Sequence, residues 1–241
     1  MKDKILVVAG PAYAEAIHGL GKIVTDPAKF FNGPEEFKLV LFTGGEDVNP
    51  VYYKDSSPKD ICRYNDHRDK YEIEIFKTAY KYGILMTGIC RGLQFLNVMA
   101  GGRMMHHIEE HGCNIHLMKL ATGEQFYVNS FHHQMILPAG NTKIVGWSTK
   151  RLSKTYIGNF DEKITYRGRE NEAAIFPDIK GFGVQYHPEI MPKSFEAYDY
   201  YYKMVANALK LPWETFIRAY TKGADDVTLV KINEHSSAVG G

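Results

Sequence analysis

The stretch that most constrains how this chain can fold is Gly88-Ile89-Cys90-Arg91-Gly92-Leu93-Gln94. The apolar run over residues 81–87 before it is too short for a helix and predicts a buried strand. Apolar residues at helical spacing follow it and stop at a pair of glycines, which predicts a short helix. Cys90 therefore falls on a tight turn between a strand and a helix, and the small residues Gly88 and Gly92 allow the backbone to adopt that turn.

This position has chemical consequences for Cys90. The unpaired N–H groups and the positive dipole end of a helix N-terminus favour a thiolate over a thiol. The same N–H groups can receive the oxyanion that forms when a thiolate attacks a carbonyl carbon. A free cysteine is most often a small buried core residue, and that alternative applies here too. The strand–turn–helix setting with its two flanking glycines favours the nucleophile hypothesis.

Composition excludes several classes of protein. The 241 residues are 44% hydrophobic, which predicts a packed core, and no segment reaches the apolar length of a membrane span. Lys and Arg number 29 against 28 Asp and Glu, so a nucleic-acid partner is not indicated. Three scattered cysteines are too few for a disulfide framework, and with no export signal they predict a cytoplasmic protein.

The first third of the chain predicts an α/β domain. Residues 4–10 and 38–43 are continuous apolar runs, as in the central strands of a parallel sheet. The second run leads into a loop over residues 44–50 that begins Gly44-Gly45, and ligands bind at such strand ends in open α/β sheets. A helix over about residues 68–81, capped by Asp66, is predicted to cover the sheet.

Residues 106–116 contain four histidines and Cys113. Their spacing matches no closed zinc pattern, and Gly112 interrupts any helical register that could align ligands. We therefore expect no metal site, and a polar loop near the rim of the active site instead.

Two further candidate catalytic residues, a histidine and a glutamate, occur late in the chain. Residues 181–186 predict a short strand that ends in His187-Pro188-Glu189. Residues two apart on a strand point to the same face, so we expect His187 and Glu189 to lie side by side. The carboxylate would then fix the tautomer of the imidazole and stabilise its charged form.

Four blocks, taken in order, resemble the class I glutamine amidotransferase superfamily. Within it they resemble the γ-glutamyl hydrolase-like branch, which includes γ-glutamyl-γ-aminobutyrate hydrolase. The blocks are Thr43–Pro50, Gly88–Gln94, Asn129–Gln134 and Gln185–Glu189. One departure is that Glu170-Asn171 precedes Glu172-Ala173 where that branch usually has Asp-Gly.

The resemblance implies a flavodoxin-like α/β fold, with a central, mostly parallel sheet flanked by helices and with added antiparallel strands. It also implies a single catalytic domain over residues 1–221, followed by a tail over residues 222–241 for which we expect partial disorder. No cofactor is implied.

The resemblance assigns roles to residues as well. It implies a triad in which Cys90 is the nucleophile, His187 the general base and then acid, and Glu189 the residue that orients His187. The backbone N–H groups of Gly45 and Arg91 would form the oxyanion hole. The residues that would hold the two ends of a glutamyl group are Gln94, Ser130, Phe131 and His132.

Three functions follow as alternatives. The first is a stand-alone thiol hydrolase of γ-glutamyl amides, acting on a small molecule through a γ-glutamyl thioester. The second is a glutaminase subunit that passes ammonia to a separate synthetase, which requires a partner chain; a homodimer is the other assembly we consider. The third, a non-enzymatic binding module, is disfavoured because the triad residues are all present.

Overall fold

The computed structural model describes residues 2–56 and 61–223. Within them the chain forms thirteen strands, numbered in chain order. They are β1 (Lys4–Val8), β2 (Lys22–Val24), β3 (Phe37–Phe42), β4 (Leu85–Ile89), β5 (Arg103–Met105), β6 (His107–Ile108), β7 (Asn114–Leu120), β8 (Gln125–Ser130), β9 (Met135–Leu137), β10 (Lys143–Ser148), β11 (Tyr156–Ile157), β12 (Asn171–Phe176) and β13 (Gly181–Val184).

The described residues also form five α-helices and six short 3₁₀ segments. The α-helices are α1 (Pro27–Asn32), α2 (Asp66–Lys81), α3 (Arg91–Met99), α4 (Glu196–Lys210) and α5 (Trp213–Thr221). The 3₁₀ segments are Pro11–Ile17, Pro34–Glu36, Pro50–Tyr53, Asn159–Asp161, Pro177–Ile179 and Pro188–Ile190. No helix in the described part of the chain is both long and apolar enough to cross a membrane.

Nine strands form one mixed sheet in the order β2-β1-β3-β4-β13-β12-β10-β7-β8. The pairs from β2 to β13 are parallel, and those from β13 to β8 are antiparallel. β5 pairs with β9 and β6 pairs with β11 in two small separate sheets. The mostly parallel centre flanked by helices and the antiparallel extension confirm the predicted fold class.

The parallel half of the sheet determines where a site can form. β1, β3, β4 and β13 are neighbours and run in the same direction, so their carboxyl ends meet at one edge. The segments that leave those ends carry Tyr13, Gly44-Gly45, Cys90 and His187. This is the edge at which open α/β sheets bind ligands.

Both faces of the sheet are buried, as its continuous apolar strands predict. Along β1 and β3, alternate side chains enter two core clusters, so that Ile5 and Leu41 lie on one face while Leu6 and Val40 lie on the other. The first cluster includes side chains of α4 and α5, and the second includes side chains of α1, α2 and α3.

Three sequence predictions need correction. The cap of α2 is Asn65, whose side chain accepts a hydrogen bond from the Arg68 N–H, and Asp66 is already the first helical residue. β13 ends at Val184, so His187 and Glu189 do not lie on a strand. The stretch 106–116 is not a polar loop, because it includes β6 and the start of β7, and His106, His111 and His116 are buried. Of the tail predicted over residues 222–241, residues 224–241 lie outside the described residues.

Candidate active site

Cys90 lies on a strained turn between β4 and α3. Its backbone has φ 53° and ψ −111°, a conformation that non-glycine residues rarely adopt. The glycines beside it are required by close packing: a Cβ at Gly88 would collide with the backbone of Gly92, and one at Gly92 would collide with the carbonyl group of Phe42. The turn therefore holds the Cys90 side chain at the carboxyl edge of the sheet, at the N-terminus of α3.

The 3₁₀ turn at Pro188–Ile190 brings His187 and Glu189 together, in place of the strand that the sequence predicted. His187 Nδ1 lies 2.7 Å from Glu189 Oε1, so Nδ1–H donates to the carboxylate and Nε2 is the ring atom left for a reacting group. Nε2 forms no hydrogen bond with any described residue.

The electrostatic surroundings of His187 favour its charged form. Burial by itself would lower the pKa of the imidazole, but the Cys90 side chain and the Glu189 carboxylate outweigh burial and raise the pKa to about 10. Cys90 acts on His187 both through its side-chain interaction and through its charge, which makes the two residues neighbours. The site therefore brings together the cysteine, histidine and glutamate that the sequence singled out.

Asn129 fixes the backbone of His187. The His187 N–H donates to Asn129 Oδ1 at 2.8 Å, and Asn129 Nδ2 donates to the His187 carbonyl at 3.1 Å. Asn129 is the last residue but one of β8, at the far edge of the sheet, so these hydrogen bonds join the antiparallel extension to the segment that carries His187.

Hydrogen bonds from Arg68 fix the direction of the Gly45 N–H. Arg68 Nη2 donates to the Gly44 carbonyl at 2.9 Å and to the Thr43 carbonyl at 3.0 Å. In a trans peptide the C=O and the N–H point in opposite directions, so the Gly45 N–H points away from Arg68. Gly45 has φ 137°, and a Cβ there would collide with the Arg68 guanidinium, so glycine is required.

The Arg91 N–H is the second candidate oxyanion donor. The Cys90 carbonyl accepts the Gln94 N–H at 3.2 Å, as in the first turn of a helix. The Arg91 N–H therefore points out of the N-terminus of α3, the helix that begins directly after Cys90. The Arg91 side chain is buried and forms ion pairs with Asp69 and Glu72 of α2.

Comparison with known proteins gives one family match and several relatives. Residues 23–122 match the family described as Peptidase C26. A glutamine amidotransferase-like protein of Rickettsia prowazekii is 36% identical over 38% of this chain and 32% of its own length. The corresponding protein YvdE of Lactococcus lactis is 32% identical over 43% of this chain and 52% of its own length. The chain thus spans about a third to a half of the length of these two relatives.

A glutamine amidotransferase from Thermotoga maritima has a similar solved structure, with a TM-score of 0.53, 16% identity, and coverage of 91% of this chain and 90% of that one. At this identity the likeness bears on the fold alone. Taken together, the family match and the relatives support the class I glutamine amidotransferase superfamily.

The predicted substrate residues do not all face the same way. Gln94 is buried, and its Nε2 lies 3.4 Å from Gln185 Oε1. Ser130 Oγ donates to the His111 carbonyl at 2.9 Å, and the His132 ring bonds the Gln134 carbonyl at 2.9 Å, so both side chains point inward. The Phe131 ring is half exposed and lies 5.9 Å from the His187 ring.

The sequence analysis missed Tyr13. This residue follows β1 in the 3₁₀ segment Pro11–Ile17, and its ring lies 6.1 Å from that of His187. Burial, Glu189 and Cys90 raise its pKa to about 12, so its hydroxyl stays protonated at neutral pH. Its position just after the carboxyl end of a central parallel strand was the signal that could have identified it.

Proposed function

We propose that this protein is a thiol hydrolase of γ-glutamyl amide bonds, with Cys90 as nucleophile, His187 as general base and acid, and Glu189 as the residue that orients His187. The observation that carries the proposal is the pairing of a strained cysteine turn at a helix N-terminus with a histidine whose Nδ1–H is bound by a carboxylate. The Peptidase C26 match and the amidotransferase-like names of the relatives support the same class of chemistry.

The proposed reaction proceeds in two halves. The Cys90 thiolate attacks the γ-carbonyl carbon, and the Gly45 and Arg91 N–H groups bind the oxyanion. His187 Nε2–H gives its proton to the departing nitrogen, the C–N bond breaks, and a γ-glutamyl thioester remains on Cys90. Water then attacks the thioester while His187 takes its proton, and the C–S bond breaks to release glutamate and restore the thiolate.

The inward direction of the Ser130 and His132 side chains changes what their segment can offer to a substrate. We infer that this segment holds the glutamyl group through its backbone and the Phe131 ring rather than through the Ser130 hydroxyl or the His132 imidazole.

The leaving group has a candidate location beside the oxyanion loop. A cavity of about 450 Å³ is lined by Ile61, Arg63, His107, His133 and Ile157. His133 Nε2 lies 3.1 Å from Asp47 Oδ1, two residues after Gly45. The Arg63 guanidinium in this lining favours an amine that carries a carboxylate, so the substrate panel should include such amines.

The experiment is steady-state release by purified protein from glutamine and from a panel of γ-glutamyl amines with and without a carboxylate on the amine. We expect cleavage of a γ-glutamyl amine to exceed glutamine hydrolysis, to be nearly abolished in Cys90→Ser and to be retained in Cys113→Ser, which removes an exposed thiol. Slow glutamine hydrolysis alone would instead favour the ammonia-delivering subunit and a search for its synthetase partner. Full activity in Cys90→Ser would refute the assignment of the nucleophile.

A further inference from the structure

A buried cluster of histidine and glutamate lies away from the Cys90 thiol. The cluster consists of His111, His132 and Glu172, and one ligand atom of each lies within 4.8 Å of the others. These side chains come from three segments: the turn before β7, the residues after β8, and β12. All three are almost fully buried, with exposed fractions of 0%, 5% and 1%.

The proton on the His132 ring can be placed from its partner. His132 Nδ1 lies 2.9 Å from the Gln134 carbonyl oxygen, which can only accept, so Nδ1 carries the proton. Nε2 of the neutral ring then presents a lone pair, and it lies 3.7 Å from Glu172 Oε1. Nε2 has no hydrogen-bond partner among residues 2–56 and 61–223. A cation placed between this lone pair and the buried carboxylate would bind both.

The His111 ring has the same arrangement. Its Nε2 lies 3.2 Å from Glu170 Oε2, and that carboxylate also accepts from the Leu152 and Ser153 N–H groups, so it acts as an acceptor and His111 Nε2 as the donor. Nδ1 then faces Ser130 Oγ and Glu172 Oε1, at 3.2 and 3.5 Å. The Ser130 hydroxyl already donates to the His111 carbonyl, so it offers Nδ1 no proton.

These partners match the surroundings of metal-binding histidines. Such a histidine usually donates its other ring N–H to a carboxylate or a backbone carbonyl, which fixes the tautomer and aims the free nitrogen at the ion. His111 donates to the Glu170 carboxylate and His132 to the Gln134 carbonyl. A tetrahedral ion with bonds of about 2.0–2.1 Å spaces its ligands by roughly 3.4 Å. The separations of 3.5 and 3.7 Å from Glu172 Oε1 are close to that value.

We propose that His111, His132 and Glu172 form a structural site for one divalent ion of the zinc class. Two imidazoles and a carboxylate suit zinc better than calcium or magnesium, which prefer oxygen ligands. A divalent charge would also balance the buried carboxylates of Glu170 and Glu172. His116 Nε2 lies 3.2 Å from the same Glu172 Oε1 and is a candidate for the fourth position.

The spacing of residues 106–116 disfavours a metal site, but it carries no information on ligands outside that stretch. The fold takes one histidine from that stretch and joins it to His132 and Glu172, which are far away in the sequence. Such an ion would tie the segment after β8, which we propose holds the substrate, to β12. The burial of the ligands gives it a structural rather than a catalytic role.

The test is the metal content of untagged protein purified without chelators from zinc-supplemented cells. We expect about one zinc per chain in the wild type and in His18→Ala, which removes an exposed histidine, and less than about a tenth of that in Glu172→Gln. Protein grown with cobalt in place of zinc should show the visible absorption of a tetrahedral cobalt site, and Glu172→Gln should not.

A second measurement on the wild type does not depend on how the variants fold. A zinc chelator should lower the melting temperature of the wild type and leave that of Glu172→Gln unchanged. Wild-type protein that carries no stoichiometric zinc or cobalt, with a melting temperature insensitive to the chelator, would overturn the proposal. The cluster would then be a buried hydrogen-bonded network without a metal ion.

Discussion

The two ring nitrogens of His187 have different roles. Nδ1 is bound by Glu189, while Nε2 is the atom available to Cys90 and to the leaving group. The protonated ring is stabilised by negative charge on both sides, which offsets the cost of burial. The three side chains therefore interact through charge, and removing either neighbour should lower the pKa of the His187 ring.

The first prediction concerns the pKa of His187. Cys90→Ala and Glu189→Gln should each lower the pKa of His187 from its raised value of about 10, because each removes one of the groups that raise it. An NMR titration of the His187 ring protons measures the pKa in each variant. A control variant, Cys113→Ala, alters an exposed thiol and should leave the titration unchanged. An unchanged His187 pKa in Cys90→Ala would show that the Cys90 side chain does not interact with the His187 imidazole.

Asn129 gives a second prediction at this scale. Its amide makes both hydrogen bonds to the His187 backbone, so Asn129→Ala should shift the imidazole without removing any group that touches substrate. We expect kcat to fall by about 10–100-fold with little change in KM and an unaltered circular dichroism spectrum. Wild-type kcat in this variant would show that Asn129 does not position His187.

At the scale of elements, one helix holds both halves of the proposed oxyanion hole. Glu72 of α2 accepts Arg68 Nε at 2.8 Å through Oε1 and pairs with Arg91 through Oε2. Arg68 in turn fixes the Gly44–Gly45 peptide, and Arg91 begins α3 next to Cys90. α2 thus connects the loop after β3 to the turn after β4 through a buried carboxylate.

Replacing Glu72 tests that connection. Glu72→Gln leaves two arginines with one fewer buried negative charge, so we expect the free energy of unfolding to fall by about 3–5 kcal/mol. Urea denaturation measures this loss. The matched control is Glu74→Gln on the same helix, which breaks only an exposed pair with Lys77 and should cost less than about 1 kcal/mol. Equal losses in the two variants would contradict the connecting role of Glu72.

For the whole molecule, the raised pKa of His187 links folding to pH. Between its ordinary value of 6.5 and about 10, the folded protein holds a proton on His187 that the unfolded chain releases. The stabilisation is therefore complete below pH 6.5 and is lost as the pH rises through about 10. Urea unfolding at several pH values should show a steeper alkaline loss of stability in the wild type than in His187→Gln. If the free energy of unfolding falls equally with rising pH in the wild type and in His187→Gln, protonation of His187 does not link folding to pH.

The sequence predicted the parallel centre of the molecule well because its strands are buried on both faces and appear as continuous apolar runs, and because Gly88 and Gly92 mark the turn at Cys90. It could not predict that His187 and Glu189 meet through a 3₁₀ turn. A strand and this turn both bring residues two apart together, so the pattern did not distinguish them.

Contacts between residues far apart in the chain could not be predicted from the sequence either. Glu72 bridges two arginines because α2 packs beside α3, and the buried histidines meet Glu172 because β12 lies inside the sheet. Spacing along the chain carries no signal for either arrangement. The oxyanion and triad roles are predictions that the geometry supports, whereas the inward direction of Ser130 and His132 argues against a substrate role for their side chains.

The most direct measurement is to trap the covalent intermediate. Protein mixed with a cleavable γ-glutamyl amide, quenched in acid during turnover and digested, should yield a peptide containing Cys90 that carries a γ-glutamyl group, because a thioester survives acid quenching better than neutral hydrolysis. The adduct should be absent from Cys90→Ser and present in Cys113→Ser. Turnover without an adduct on Cys90, or with the γ-glutamyl group on another residue, would contradict the thiol hydrolase mechanism.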